Sequence, residues 1–127
     1  MPSASVAIPD DLFKHGSEDD EFRVKARVII AEELFCPSNG DETTKPNPES
    51  VTLWFRLYDS EDEDVVSDSK NTAVFIEIKG YPLPDRMANI KERLERIRDR
   101  TKALLPKDNN VISVIFNPVE ENHWVVG

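Results

Sequence analysis

Two stretches of this chain, sixty residues apart, follow one pattern, and that repetition restricts the folds open to it. Residues 111–116 form a dense apolar run, Val-Ile-Ser-Val-Ile-Phe, which Asn117-Pro118 breaks. A run of this kind, bounded by a turn, reads as a buried strand. A polar loop, Glu120-Glu121-Asn122-His123, then leads to Trp124, and Val125-Val126 closes the unit before Gly127. Earlier, residues 51–57 form another apolar strand, 58–64 another acidic loop, and Val65-Val66 follows. The two stretches superpose without a gap: Val51 meets Val111, Phe55 meets Ile115, and Glu61 meets Glu121. The match is one of pattern more than identity. It predicts a single domain over 1–127 with an internal pseudo-repeat, 1–66 and 70–127.

The rest of the chain fits that division. Residues 2–8 alternate Val6 and Ile8 as a short strand that Pro9-Asp10-Asp11 ends, and 12–16 read as a loop. Residues 17–36 are ambiguous. Phe22, Val24, Ala26 and Val28 alternate with Arg23, Lys25 and Arg27 as in a strand. The length between breakers favours a helix, since strands typically run about 4–8 residues, and Ser17-Glu18-Asp19-Asp20 suits a helix start. Residues 37–50 form a polar loop with Gly40, Pro46 and Pro48. Strands follow at 51–58 and 73–78, separated by an acidic connection, and Gly80 ends the second. Residues 84–105 read as one helix whose buried face is Met87, Ile90, Leu94, Ile97, Thr101 and Leu104. The order is β-α-β twice. This is an α+β fold, with two consecutive β-α-β units forming a four-stranded sheet and both helices on one face.

Composition removes several function classes. The chain has 127 residues, 39% of them hydrophobic and 32% charged, which suits one globular domain with a real core. A formal charge of −9 argues against a nucleic-acid surface, which needs clustered cations. Basic residues do gather in 91–102, but Glu92, Glu95 and Asp99 interrupt them, as on the solvated face of a helix. Cys36 is the only cysteine, so the chain has no internal disulfide and no zinc-type cysteine cluster. It reads as a small buried apolar residue rather than a nucleophile. His15 and His123 are isolated, and the acidic run at 59–64 lacks the glycine and closing Glu of an EF-hand, so no metal is expected. No membrane-length apolar stretch and no secretory leader are seen, and the expectation is a soluble cytoplasmic protein.

Val111, Val114, Ile115, Val119, Glu120, Glu121, Asn122, Trp124 and Gly127 together resemble the end of the oxalocrotonate tautomerase module. The resemblance covers the second half by motif and the first half mainly by pattern. Members of that family are built from β-α-β modules. Fused members, such as malonate semialdehyde decarboxylase and the chloroacrylate dehalogenases, carry two modules in one chain and assemble as trimers. The family's hallmark is a proline left at the N-terminus when methionine is removed, and this chain opens Met1-Pro2-Ser3. An N-terminal proline is a secondary amine. An α-amine titrates near pH ~8, and burial or nearby cations lower that toward neutrality. Such a nitrogen serves as a general base beside a carbonyl, or as a nucleophile. The resemblance thus implies a tautomerase, with Pro2 catalytic, a small-molecule carbonyl (2-keto/enol) substrate, no cofactor and a homotrimer.

The chain departs from the family at its arginines. Tyr81 follows Gly80 where the family usually places one, Pro9-Asp10-Asp11 supplies none in the first module, and Thr52 and Ile112 hold the positions of a second. Arg56 is the substitute available on the strand, with Trp54 on the same face. The competing role for Arg56 is an ion pair with an acid of the neighbouring strand, such as Glu77. Trp124 resembles the family's aromatic pocket wall and is equally suited to a subunit contact. Tyr81 is a candidate hydrogen-bond donor to a substrate carbonyl. Expected substrate-binding residues are therefore Trp124, Tyr81, Arg56 and Trp54. Two further readings stay open: a non-catalytic trimeric binding or structural protein of the same fold, and a ferredoxin-like regulatory domain.

Overall fold

A computed structural model describes residues 2–14, 16–37, 44–59, 73–106 and 111–119. Four strands, β1 (Ser3–Pro9), β2 (Thr52–Tyr58), β3 (Ala73–Gly80) and β4 (Val111–Pro118), form one sheet in the order β2-β1-β3-β4. β1 runs parallel to β2, β3 parallel to β4, and β1 antiparallel to β3. Each β-α-β unit therefore pairs its own two strands directly, and the units join through β1 and β3. A ferredoxin-like domain splits its β-α-β units with an inserted strand, so that alternative is excluded.

Strand parity decides what each face carries. Ala4, Val6 and Ile8 of β1 and Val74, Ile76 and Ile78 of β3 are buried beneath the helices, with Leu53, Phe55, Ile112, Val114 and Phe116 packed against them. The other face has no helix among the described residues and exposes Trp54, Phe75, Val111 and Ile115.

Helix α1 (Gly16–Leu34) settles the ambiguity of residues 17–36. Its buried residues are Phe22, Ala26, Ile29, Ile30, Ala31 and Leu34, at helical spacing, while Val24 of the apparent alternation is exposed. The helix expected over 84–105 is instead two: α2 (Pro84–Met87) and α3 (Ile90–Lys102). The break falls at Ala88-Asn89, where Asn89 leaves helical geometry (φ −138°, ψ 35°) and its side chain accepts from Arg93 Nε at 2.6 Å. Asn competes with the helical backbone for hydrogen bonds, so it suits a helix boundary. Ile97 and Thr101 are buried as the periodicity predicts, whereas Met87, ahead of the break, is exposed.

The basic residues of α3 do not form a solvated face throughout. Arg93, Arg96 and Arg100 all reach the end of α1: Arg96 pairs with Glu33 at 2.8 Å, and Arg100 lies 3.4 Å from Glu33 and 3.5 Å from Glu32. Arg96 and Arg100 are drawn by the Glu33 and Glu32 carboxylates, while Arg93 supplies the cation that the carbonyls at the end of α1 favour, that helix having no basic residue in its own last turn. No helix of the described residues is long and apolar enough to cross a membrane.

Candidate active site

The chain before β1, the end of α1, the turn before β2 and the segment after β3 converge on a cavity of about 280 Å³. Pro2, Leu34, Phe35, Cys36, Tyr81 and Arg86 are among its walls. Each wall has a local cause. Pro2 is held at the sheet because its carbonyl accepts from Thr52 N–H at 3.3 Å, extending the β1–β2 ladder by one bond. Opposite it, Asn47 Oδ1 accepts from Glu49 N–H at 3.0 Å and caps the short 3-10 turn Pro48–Ser50. Arg27 Nε donates to Val51 O at 2.9 Å and ties that turn to α1.

Arg86 is the residue that sequence reasoning missed. It is only 7% exposed, donating from Nε to Leu34 O at 3.1 Å and from Nη1 to Tyr81 O at 3.0 Å. None of the ion pairs among the described residues gives it a carboxylate. Burial lowers its pKa from the ordinary guanidinium value, the Cys36 sulfur opposes that shift, and the nearby Arg93 charge adds to it. A signal for it existed. Position 86 lies four residues before Ile90 and so continues the buried stripe of the second helix, where a charge is out of place.

Gly80 makes the approach of Pro2 and Arg86 possible. A Cβ at this position would stand 3.3 Å from Arg86 Nη1, 3.5 Å from Pro2 Cβ and 3.5 Å from Phe116 Cε2. Both groups therefore border the space that the missing side chain leaves open.

The structure places the other sequence candidates in different settings. Tyr81 shares the cavity wall with Pro2 and lends its carbonyl to Arg86. Trp54, 68% exposed, and Arg56 stand on the helix-free face of β2. Arg56 lies opposite Ala7, about 13 Å along the strand from Thr52 at ~3.3 Å per residue. The expected Arg56–Glu77 pair does not form: β1 lies between β2 and β3, and Glu77 pairs with Lys79 at 3.5 Å. Trp124 lies outside the described residues. Cys36 is half-buried on the cavity wall rather than packed in the core, its sulfur 3.8 Å from Leu34 O.

This sheet, with two β-α-β units and its helices on one face, is the tautomerase fold, the class that the resemblance implied. No family model matches the chain, and no curated protein is significantly similar in sequence. Solved structures match throughout its length. A fused 4-OT, described as a wild-type symmetric trimer, aligns with TM-score 0.66 at 12% identity over 98% of this chain and 90% of its own. A macrophage migration inhibitory factor-like protein from Entamoeba histolytica aligns at 0.60 and 12%, over 99% and 95%. FG41 malonate semialdehyde decarboxylase, inhibited by 3-bromopropiolate, aligns at 0.56 and 10%, over 98% and 88%.

Proposed function

We propose that the chain is a tautomerase in which the Pro2 nitrogen, freed by removal of Met1, moves a proton within a small 2-keto/enol acid bound beside Arg86. The observation that supports this reading is a buried guanidinium without a carboxylate partner among the described residues, next to Pro2 in one cavity. A buried cation is costly unless compensated, and the Leu34 and Tyr81 carbonyls supply only partial charges. An anionic group entering the cavity completes the compensation. It also presents the adjacent carbonyl carbon to Pro2. The Arg86 charge lowers the proton affinity of a neighbouring amine, so more of it is in the free-base form near neutral pH. In the enol-to-keto direction Pro2 nitrogen accepts the hydroxyl proton, the carbonyl forms, and the ammonium returns a proton to carbon. The base is regenerated and no cofactor is consumed.

A homotrimer belongs to the same proposal. The helix-free sheet face, which exposes Trp54, Phe75, Val111 and Ile115 among polar residues, supports association with further copies of the chain, as does the trimeric assembly described for the fused 4-OT structure.

The test is tautomerisation of phenylenolpyruvate by protein whose intact mass verifies loss of Met1, beside Pro2→Ala. Wild-type activity well above the variant is expected. Equal rates would leave the non-catalytic reading, in which the same cavity only binds an anion.

A further inference from the structure

We infer that Arg93, which is not a wall of the cavity, is a positioning residue for it. Arg93 Nη1 donates to Glu33 O at 2.8 Å and to Phe35 O at 3.0 Å, while its Nε is fixed by Asn89 Oδ1 at 2.6 Å. The carbonyl between those two, Leu34 O, is the one that holds Arg86 Nε at 3.1 Å. Three successive carbonyls at the end of α1 are thus gripped by two guanidiniums from the second half of the chain. Helix ends leave such carbonyls without intrahelical donors, and α1 supplies no basic side chain of its own there.

The grip bears on the cavity because Leu34, Phe35 and Cys36 form one of its walls. Releasing Glu33 O and Phe35 O lets that segment move. Leu34 O then no longer holds the Arg86 guanidinium in one orientation beside Pro2. A displaced guanidinium holds the anionic group less firmly and presents its carbonyl carbon less well to Pro2, so its loss of orientation is read in kcat/KM.

This inference rests on the proposed anion site, and the first readout is chosen to be independent of catalysis. Cys36, the only cysteine, reports the wall directly through its rate of alkylation by iodoacetamide. Arg93→Ala is expected to alkylate about tenfold faster than wild type, as the loss of two charge-assisted bonds allows. Arg93→Lys, whose ammonium can bridge the same carbonyls, is expected to restore a rate near wild type. Arg96→Ala, which breaks only the outer pair with Glu33, is expected to leave the rate unchanged. Arg93→Met, which keeps the aliphatic stem but no donor, is measured alongside in case the alanine variant fails to fold, and is expected to match the alanine rate. In the phenylenolpyruvate assay Arg93→Ala should lower kcat/KM about tenfold, and Arg93→Lys should restore it. Alkylation at the wild-type rate in both Arg93→Ala and Arg93→Met, or in the one of them that folds, would overturn the inference. Inactive wild-type protein with Arg93-dependent alkylation would overturn the tautomerase reading instead and leave the clamp standing.

Discussion

Pro2 and Arg86 meet at Gly80, where the Pro2 ring and the guanidinium approach a missing side chain to within 3.5 and 3.3 Å. The glycine is required here for space. Gly80→Ala must displace Arg86 Nη1, whose bonds to Tyr81 O and Leu34 O leave it little freedom to give way. Overpacking of this kind costs about 1–3 kcal/mol. The expected outcome is an unfolding free energy lowered by that amount in urea titration, with tautomerase activity lowered as well. An alanine variant as active as wild type would show that the contact is immaterial.

Arg86→Met separates charge from fold. Removing a charge-assisted contact to an anionic group is worth about 1.5–3 kcal/mol, or about 10–150-fold in kcat/KM. That loss should appear with phenylenolpyruvate and be far smaller with its methyl ester, which carries no anion. A general loss of stability would lower both substrates together, so the ratio of the two rates is the measurement.

The open sheet face predicts an assembly phenotype without a folding phenotype. Trp54 is 68% exposed in the single chain, so Trp54→Glu should change the stability of that chain by no more than about 0.5 kcal/mol. In a homotrimer built on this face, the same change buries a carboxylate. Light scattering is then expected to show wild-type trimers and mutant monomers. A wild-type protein that is monomeric would remove this proposal.

Two buried residues of α3 predict changes of opposite sign. Ile97 is fully buried in the core shared by the helices and the sheet, and Ile97→Ala should cost about 2–5 kcal/mol. Thr101 is equally buried, yet its Oγ1 has no partner among the described residues. Thr101→Val keeps the shape and removes the orphaned hydroxyl, which should stabilise by about 1 kcal/mol or more. Urea unfolding of both variants checks the pair.

Most of the fold was legible because strand parity and helical spacing are local signals. Val6 and Ile8, Val74 and Ile76, and Ile97 and Thr101 point inward as their spacing requires. The misreadings came from partners distant in sequence. Arg93 looks like part of a solvated face in the sequence because its acceptors, the carbonyls of Glu33 and Phe35, are about sixty residues away and carry no side-chain signature. Arg86 carries no such mark, because the positions at which the resemblance implies a cation lie directly after Gly80 and on β2. The helix break at Asn89, by contrast, was in plain view as an Asn within the periodic run, but propensity alone gave it too little weight.

Asp19 predicts how stability depends on pH. It lies in the first turn of α1, where the helix dipole favours a carboxylate by about 0.3–1 kcal/mol. Its pKa is nevertheless raised from 3.8, first by burial and then by the neighbouring charges of Asp20 and Glu18, and its Oδ1 is buried without a hydrogen bond among the described residues. A folded-state pKa above the unfolded one means that the fold favours the protonated acid. The corresponding stability is fully present below the unfolded pKa and is lost as pH rises through the folded value. At neutral pH the wild-type chain therefore carries an ionised group that its surroundings disfavour. Asp19→Asn, which does not ionise, should be the more stable protein at pH 7, and its advantage should shrink as the pH falls toward 3.8. Urea midpoints measured at pH 7 and pH 4 give the comparison. A gap that widens on acidification would mean that the dipole outweighs burial at this position.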